Sequence, residues 1–259
     1  MRLSEHLAAR GRTKTPLVMT HVVCGYPSFE DNWRELEIMA AFGVDLVELQ
    51  FPFSEPSADG PLFVKANQES LAHGTTVDQC FEFMARVSAH FPFRVLMMGY
   101  YNTAFKMGHE TFVRRLAEAG AVGFILPDLP VEEAAELHAL AAAADLAPIV
   151  LMTPTNTDAR LHTLAAAAQG FVYVVARKGV TGGSTTMNED TAHFLGRCRV
   201  ATPLPLALGF GVATREDIAF IARHADIAII GTAALRAWEA GREEGLREFF
   251  AGLGLPTGA

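Results

Sequence analysis

Leu17-Val18-Met19-Thr20-His21-Val22-Val23-Cys24, the segment from Phe29 to Phe42, and then Leu46-Val47-Glu48-Leu49-Gln50-Phe51 together decide the fold. The outer two pieces are short and rich in consecutive apolar and β-branched residues, the pattern of a strand covered on both faces. Between them the period changes. Trp33, Leu36 and Met39 recur every three residues, with Asp31, Glu35 and Glu37 on the other faces, as in an amphipathic helix. Strand, helix, strand is a βαβ unit, whose two strands lie parallel.

The same alternation continues outward along the chain. Further strand-like runs are Arg94 to Gly99, Gly123 to Leu126, Pro148 to Met152, Phe171 to Ala176, Leu204 to Leu208 and Asp226 to Ile230. Helical stretches between and after them are Val77 to His90, Glu110 to Ala119, Glu132 to Ala144, Asp158 to Gln169, Asn188 to Arg199 and Arg215 to Arg223. Gly, Pro, Ser, Thr and Asp, which supply turns and helix N-caps, mark many of the junctions. Eight strands alternating with helices within 259 residues predict an α/β fold, a single (β/α)8 TIM-barrel domain over 1–259. A short helix near Leu3 to Ala9 precedes it. A doubly wound open sheet is the alternative, because counting strands does not establish closure. There is no linker, short repeat or low-complexity tract, and Ala139 to Ala144 reads simply as good helix.

Composition narrows the function. The chain is 50% apolar and 19% charged, enough hydrocarbon to build a large core. Its net charge of −8, with 21 Lys and Arg, repels a phosphate backbone on average and argues against nucleic acid. No apolar run approaches the ~18–20 residues that span a bilayer, so no membrane role is expected. Residues 1–16 lack the apolar core of a secretory signal. Cys24, Cys80 and Cys198 are odd in number and widely spaced, which predicts a reducing, cytoplasmic setting with no disulfide framework and no metal site.

In such a barrel the chemistry sits where strands end and βα loops begin. The second strand carries Glu48 and runs into Pro52-Phe53-Ser54-Glu55-Pro56-Ser57-Ala58-Asp59-Gly60-Pro61. Glu48 and Asp59 can thus approach one ligand from different sides, an arrangement suited to general acid/base chemistry. Taken singly, Glu48 also reads as a buried ion-pair partner and Asp59 as a turn or helix cap. Three later junctions are glycine-rich: Gly179-Val180-Thr181-Gly182-Gly183-Ser184, Gly209-Phe210-Gly211 and Gly231-Thr232-Ala233. Each alone reads equally as a tight turn, but in series they point to backbone N–H groups that receive a phosphate. Tyr173, Tyr100, Tyr101, Asn102 and Phe210 lie at strand ends, where rings either sandwich a flat ligand or pack. The nine histidines show no metal-binding spacing and read as surface or core residues, and Cys24 reads as packing.

Taken together, Cys24-Gly25-Tyr26-Pro27, Glu48 with the Pro52 to Pro61 loop, Tyr100-Tyr101-Asn102, Pro127-Asp128-Leu129-Pro130, Arg177-Lys178-Gly179-Val180-Thr181-Gly182, Gly209-Phe210-Gly211 and Gly231-Thr232 resemble the α subunit of tryptophan synthase over essentially the full length. The resemblance implies retro-aldol cleavage of indole-3-glycerol phosphate to indole and glyceraldehyde 3-phosphate, a lyase step of tryptophan biosynthesis. By resemblance, Glu48 serves indole C3 and the glycerol hydroxyl, Asp59 holds the indole N–H, and Tyr173 stands beside the glutamate. Gly182, Gly211, Gly231 and Thr232 receive the phosphate. Tyr100 and Phe210 belong to the indole pocket, and Thr181 with Arg177 to the closing loop. The implied partner is a β subunit in an α2β2 complex, faced by Glu55, Pro56 and the segment after strand three. No cofactor is implied on this chain; pyridoxal phosphate belongs to the partner.

Several positions depart from the family pattern: Gln50 where glycine is common, Glu55 for aspartate, Leu62-Phe63-Val64-Lys65 after Gly60-Pro61, and Lys178 for a small serine. Gln50 is expected to take volume and hydrogen-bonding capacity beside Glu48. Two other functions stay open at this point. One is an α-like protein that regulates a β chain without turnover, although a desolvated acid then has no purpose. The other is a different phosphate-binding barrel, disfavoured by the lack of lysine at most strand ends.

Overall fold

A computed structural model describes residues 3–175, 189–209 and 211–255. The eight strands are β1 (Leu17–Val23), β2 (Leu46–Gln50), β3 (Arg94–Met98), β4 (Gly123–Ile125), β5 (Ala147–Met152), β6 (Val172–Val175), β7 (Leu206–Gly209) and β8 (Ile227–Ile230). All are parallel, each pairs with the next, and β8 pairs with β1, so the sheet is a closed barrel. Closure excludes the open doubly wound sheet.

The helices are α1 (Leu3–Gly11), α2 (Phe29–Ala41), α3 (Pro61–Ala72), α4 (Val77–His90), α5 (Tyr101–Met107), α6 (His109–Glu118), α7 (Ala135–Ala143), α8 (Asp158–Ala167), α9 (Glu189–Ala201), α10 (Arg215–His224) and α11 (Thr232–Gly252). Three of them, α3, α5 and α11, were not among the stretches read from periodicity. Helix α7 begins at Ala135 rather than Glu132, because no side chain caps an earlier start and Glu133 and Ala134 close turns on Pro130 and Val131 instead. Strand β7 begins at Leu206 rather than Leu204: Pro203 and Pro205 have no N–H to donate to a ladder.

Alternation along each strand divides the core in two. Val18, Val47, Leu49, Val95, Met97 and Val172 face the helices in an outer layer. Leu17, Met19, Leu46, Leu96, Ile149, Phe171, Ala207 and Ile227 fill the barrel, with Leu3 and Leu7 of α1 joining them. Continuing the inward set by twos brings His21 on β1, Glu48 and Gln50 on β2, Tyr173 on β6 and Gly209 on β7 to the barrel interior. Register fixes their neighbours, His21 lying opposite Glu48 and Gln50 opposite Met98. Phe51 falls on the outward set and packs edge-on against Phe81, with ring centroids 4.9 Å apart.

Asp45, just before β2, organises the other end. It is buried and receives Arg10 Nη2 at 2.6 Å, Lys14 Nζ at 2.7 Å and the Val18 N–H at 2.9 Å, which ties α1 and the start of β1 to β2.

Candidate active site

Glu48 is the centre of β2 and only 1% exposed. Among the described residues its Oε1 has no hydrogen-bond partner. Burial, followed by the nearby charge of Asp59, raises its pKa to about 8, so the carboxyl keeps its proton at neutrality. His21 Nδ1 lies 3.8 Å from Glu48 Oε2, too far for a hydrogen bond. Desolvation pushes the imidazole down to about 4, against an opposing effect of Gln50. The acid and the imidazole are therefore both neutral at pH 7, and His21 does not take the proton from Glu48. The imidazole stacks on Phe63 of α3, with centroids 4.2 Å apart.

Asp59 reaches the same mouth from the loop after β2. Its own N–H donates to the carbonyl of Pro56 at 3.0 Å, which turns the chain back over the barrel. Gln50 Nε2 and the Tyr100 hydroxyl donate to Oδ2 at 2.7 and 3.0 Å. Burial lifts the carboxyl to about 6 while these two donors pull it down, so it is mostly ionised at pH 7. Tyr100 also accepts from the Ala58 N–H at 3.0 Å and stacks on Phe53 with centroids 5.0 Å apart, which holds loop and tyrosine as one unit.

Tyr173 points inward from β6, and burial followed by the charges of Glu48 and Asp59 holds its phenol well above the ordinary value. It needs the glycine beside it. A Cβ on Gly209 would sit 2.6 Å from Tyr173 Cε1 and 2.8 Å from its hydroxyl. On the rim, Gly231 caps α11 and Thr232 opens it, so the first part of α11, which runs to a break at Arg242 (φ 50°, ψ −135°), has its N-terminus at the mouth beside His21 and Phe63. Such an end receives anions. Gly211, exposed with φ of 80°, follows β7 in a conformation natural to glycine.

The model of the family described as tryptophan synthase alpha chain matches residues 7–251. This chain belongs to the tryptophan synthase alpha chain family. It is 44% identical to the tryptophan synthase alpha chain of Desulfotalea psychrophila over 253 residues, covering 98% of this chain and 100% of that one. With that of Syntrophotalea carbinolica the identity is 46%, over 93% and 95%. Among solved structures, Mycobacterium tuberculosis tryptophan synthase superposes with a TM-score of 0.90 at 29% identity, covering 99% of each chain.

For this alpha chain, the barrel brings together Glu48, Asp59, Tyr100 and Tyr173, with Gly231 and Thr232 on the rim. Arg177, Thr181, Gly182 and Phe210, along with Lys178, lie outside the described residues. Glu55 is exposed, whereas Pro56 is buried within the chain. Two inward residues received no role from sequence. His21 was grouped with the other histidines although it shares the inward row with Glu48, and Gln50 was expected beside Glu48 but not on Asp59. Position along the strand was the available signal for both. Cys24, by contrast, is fully buried with its thiol pushed well up by desolvation, consistent with packing.

Proposed function

We propose that Glu48 and Asp59 are the acid and the anion of the indole-3-glycerol-phosphate reaction, with Glu48 transferring protons and Asp59 binding the indole N–H. The chain is a carbon–carbon lyase of the tryptophan synthase alpha type, and the family match carries that activity. The observation that supports the residue roles is the splitting of two buried carboxyls in one mouth, one at about 8 and the other at about 6. At neutral pH this leaves one as an acid and the other as an anion.

Protonated Glu48 gives its proton to indole C3, which turns the ring into an electron sink. Asp59 stabilises the positive charge that develops at the ring nitrogen. The bond between C3 and the glycerol carbon then breaks, its electron pair returning to the ring. The glycerol hydroxyl loses its proton to the Glu48 carboxylate, yielding the aldehyde and restoring the acid. Tyr173 packs beside this exchange, and the N-terminus of α11 at Gly231 and Thr232 suits the substrate phosphate.

A β subunit is the proposed partner, in an α2β2 complex, with pyridoxal phosphate confined to that subunit and the assembly cytoplasmic. Glu55 on the exposed side of the β2 loop supports this, as does Phe105 of α5, which is 64% exposed after β3. The test is indole release from indole-3-glycerol phosphate by the purified chain, with and without a β subunit. Release that Asp59→Asn lowers by about 10²-fold or more supports the assignment. Equal release by the variant removes Asp59 from the chemistry.

A further inference from the structure

Gln50 is fully buried two residues after Glu48, yet the chemistry above uses no amide there. Among the described residues its Oε1 meets no donor at full hydrogen-bond geometry, only a weak interaction with the neutral His21, so the side chain carries part of the cost of a buried, half-satisfied amide. Its Nε2, however, makes a 2.7 Å bond to Asp59 Oδ2, nine residues further along. The donor stands on a barrel strand and the acceptor on the loop leaving it, so the bond fastens that loop to the rigid part of the fold. Tyr100 donates to the same oxygen. Both donors take Oδ2, and neither takes Oδ1.

We propose that Gln50 is a positioning residue for Asp59: by holding Oδ2 it fixes the carboxylate's orientation and presents Oδ1 to the indole N–H before the ligand arrives. The inference rests on the reading of Asp59 as the indole-binding anion. It deepens that reading by assigning a role to a buried side chain that the reaction itself leaves unused. Other titratable groups around Asp59 are Glu48 on β2, Tyr100 after β3 and Tyr173 on β6, with His21 on β1 beyond Glu48. Glu48 and the tyrosines are shifted upward and His21 downward, so none of the four carries charge at pH 7. Among the described residues, the two neutral donors Gln50 and Tyr100 are thus the groups that hold Asp59 ionised.

The experiment uses the full chain carrying Gln50→Met, which keeps the length of the side chain and removes the amide, with Gln50→Leu as a second variant. Two readouts are taken. The Asp59 carboxyl is titrated by ¹³C NMR in the free protein, and kcat/KM for indole-3-glycerol phosphate is measured from pH 5 to 9. Loss of the Gln50 donor should move the Asp59 midpoint upward by about half to one pH unit and lower kcat/KM about two- to fivefold at pH 6. The deficit should shrink toward pH 8, where Asp59 ionises again, and should vanish in the Asp59→Asn background. An unmoved midpoint in a variant that melts normally would overturn the proposal, and so would an equal loss at every pH that persists with Asp59→Asn. If the wild-type chain releases no indole, the functional reading fails, while the titration still decides whether Gln50 governs Asp59.

Discussion

Glu48 holds its proton at neutrality because no described donor meets its Oε1 and the barrel interior excludes water, and that environment acts on stability as well as catalysis. Its folded pKa of about 8 lies above the ordinary carboxyl value of 4.5, so the folded state binds the proton more tightly than the unfolded chain. The corresponding stability is fully present below pH 4.5 and is lost as pH rises toward 8. Glu48→Gln is neutral at every pH and removes this linkage. It should melt higher than wild type at pH 8, by on the order of a few kcal/mol, with the advantage fading near pH 4.5. Thermal melts at the two pH values check this, and a constant difference between the proteins would contradict it. Gly209→Ala places a methyl group 2.6 Å from the Tyr173 ring, so the tyrosine must shift. The expected destabilisation is about 1–3 kcal/mol, accompanied by a fall in kcat, whereas unchanged melting and turnover would show that the ring has room to move. Glu48 and Asp59 were legible in sequence because carboxylates at a strand end are conspicuous. His21 and Gln50 were harder, since a neutral imidazole and an amide become meaningful only once register shows which groups they face.

The strands were the most legible elements, because consecutive apolar residues bounded by turn formers have few other readings. Helices α3 and α5 were not. In α3, Leu62-Phe63-Val64 is an apolar cluster opening the helix, where Phe63 packs with Val23 and Tyr26 in a small core of its own rather than along an amphipathic stripe. Its start is set by Pro61 at the first turn. Helix α5 has only seven residues, too short to display a period. At the opposite end of the barrel, Asp45 gathers Arg10, Lys14 and the Val18 N–H. Asp45→Ala removes the acceptor of Arg10 and of the buried Val18 N–H, while Lys14 keeps the Gly43 carbonyl, and should cost about 3 kcal/mol, read by urea unfolding. Because this cluster serves stability, kcat of the folded fraction should stay within about twofold. A large loss of kcat at unchanged stability would show that the two ends of the barrel are coupled.

At the scale of the whole molecule, closure was the feature sequence did not settle. Pairing of β8 with β1 is a long-range event that no local pattern encodes, yet it brings Gly231 and the start of α11 beside His21 and Phe63. The exposed Phe105 belongs to this scale too, because its worth depends on a second chain. Phe105→Asp should weaken association with a β subunit by about tenfold, measured by calorimetry, while leaving indole release by the isolated chain intact. Equal affinity would remove α5 from the interface. The central claim is that one carboxyl acts as acid and the other as anion, and kcat/KM against pH tests it most directly, since it reports the free enzyme. Wild type should rise through about pH 6 as Asp59 ionises and fall through about pH 8 as Glu48 loses its proton. Glu48→Gln should lose about 10²–10⁴-fold in rate together with the alkaline limb. If that variant kept both the rate and the profile of the wild type, Glu48 would not be the acid.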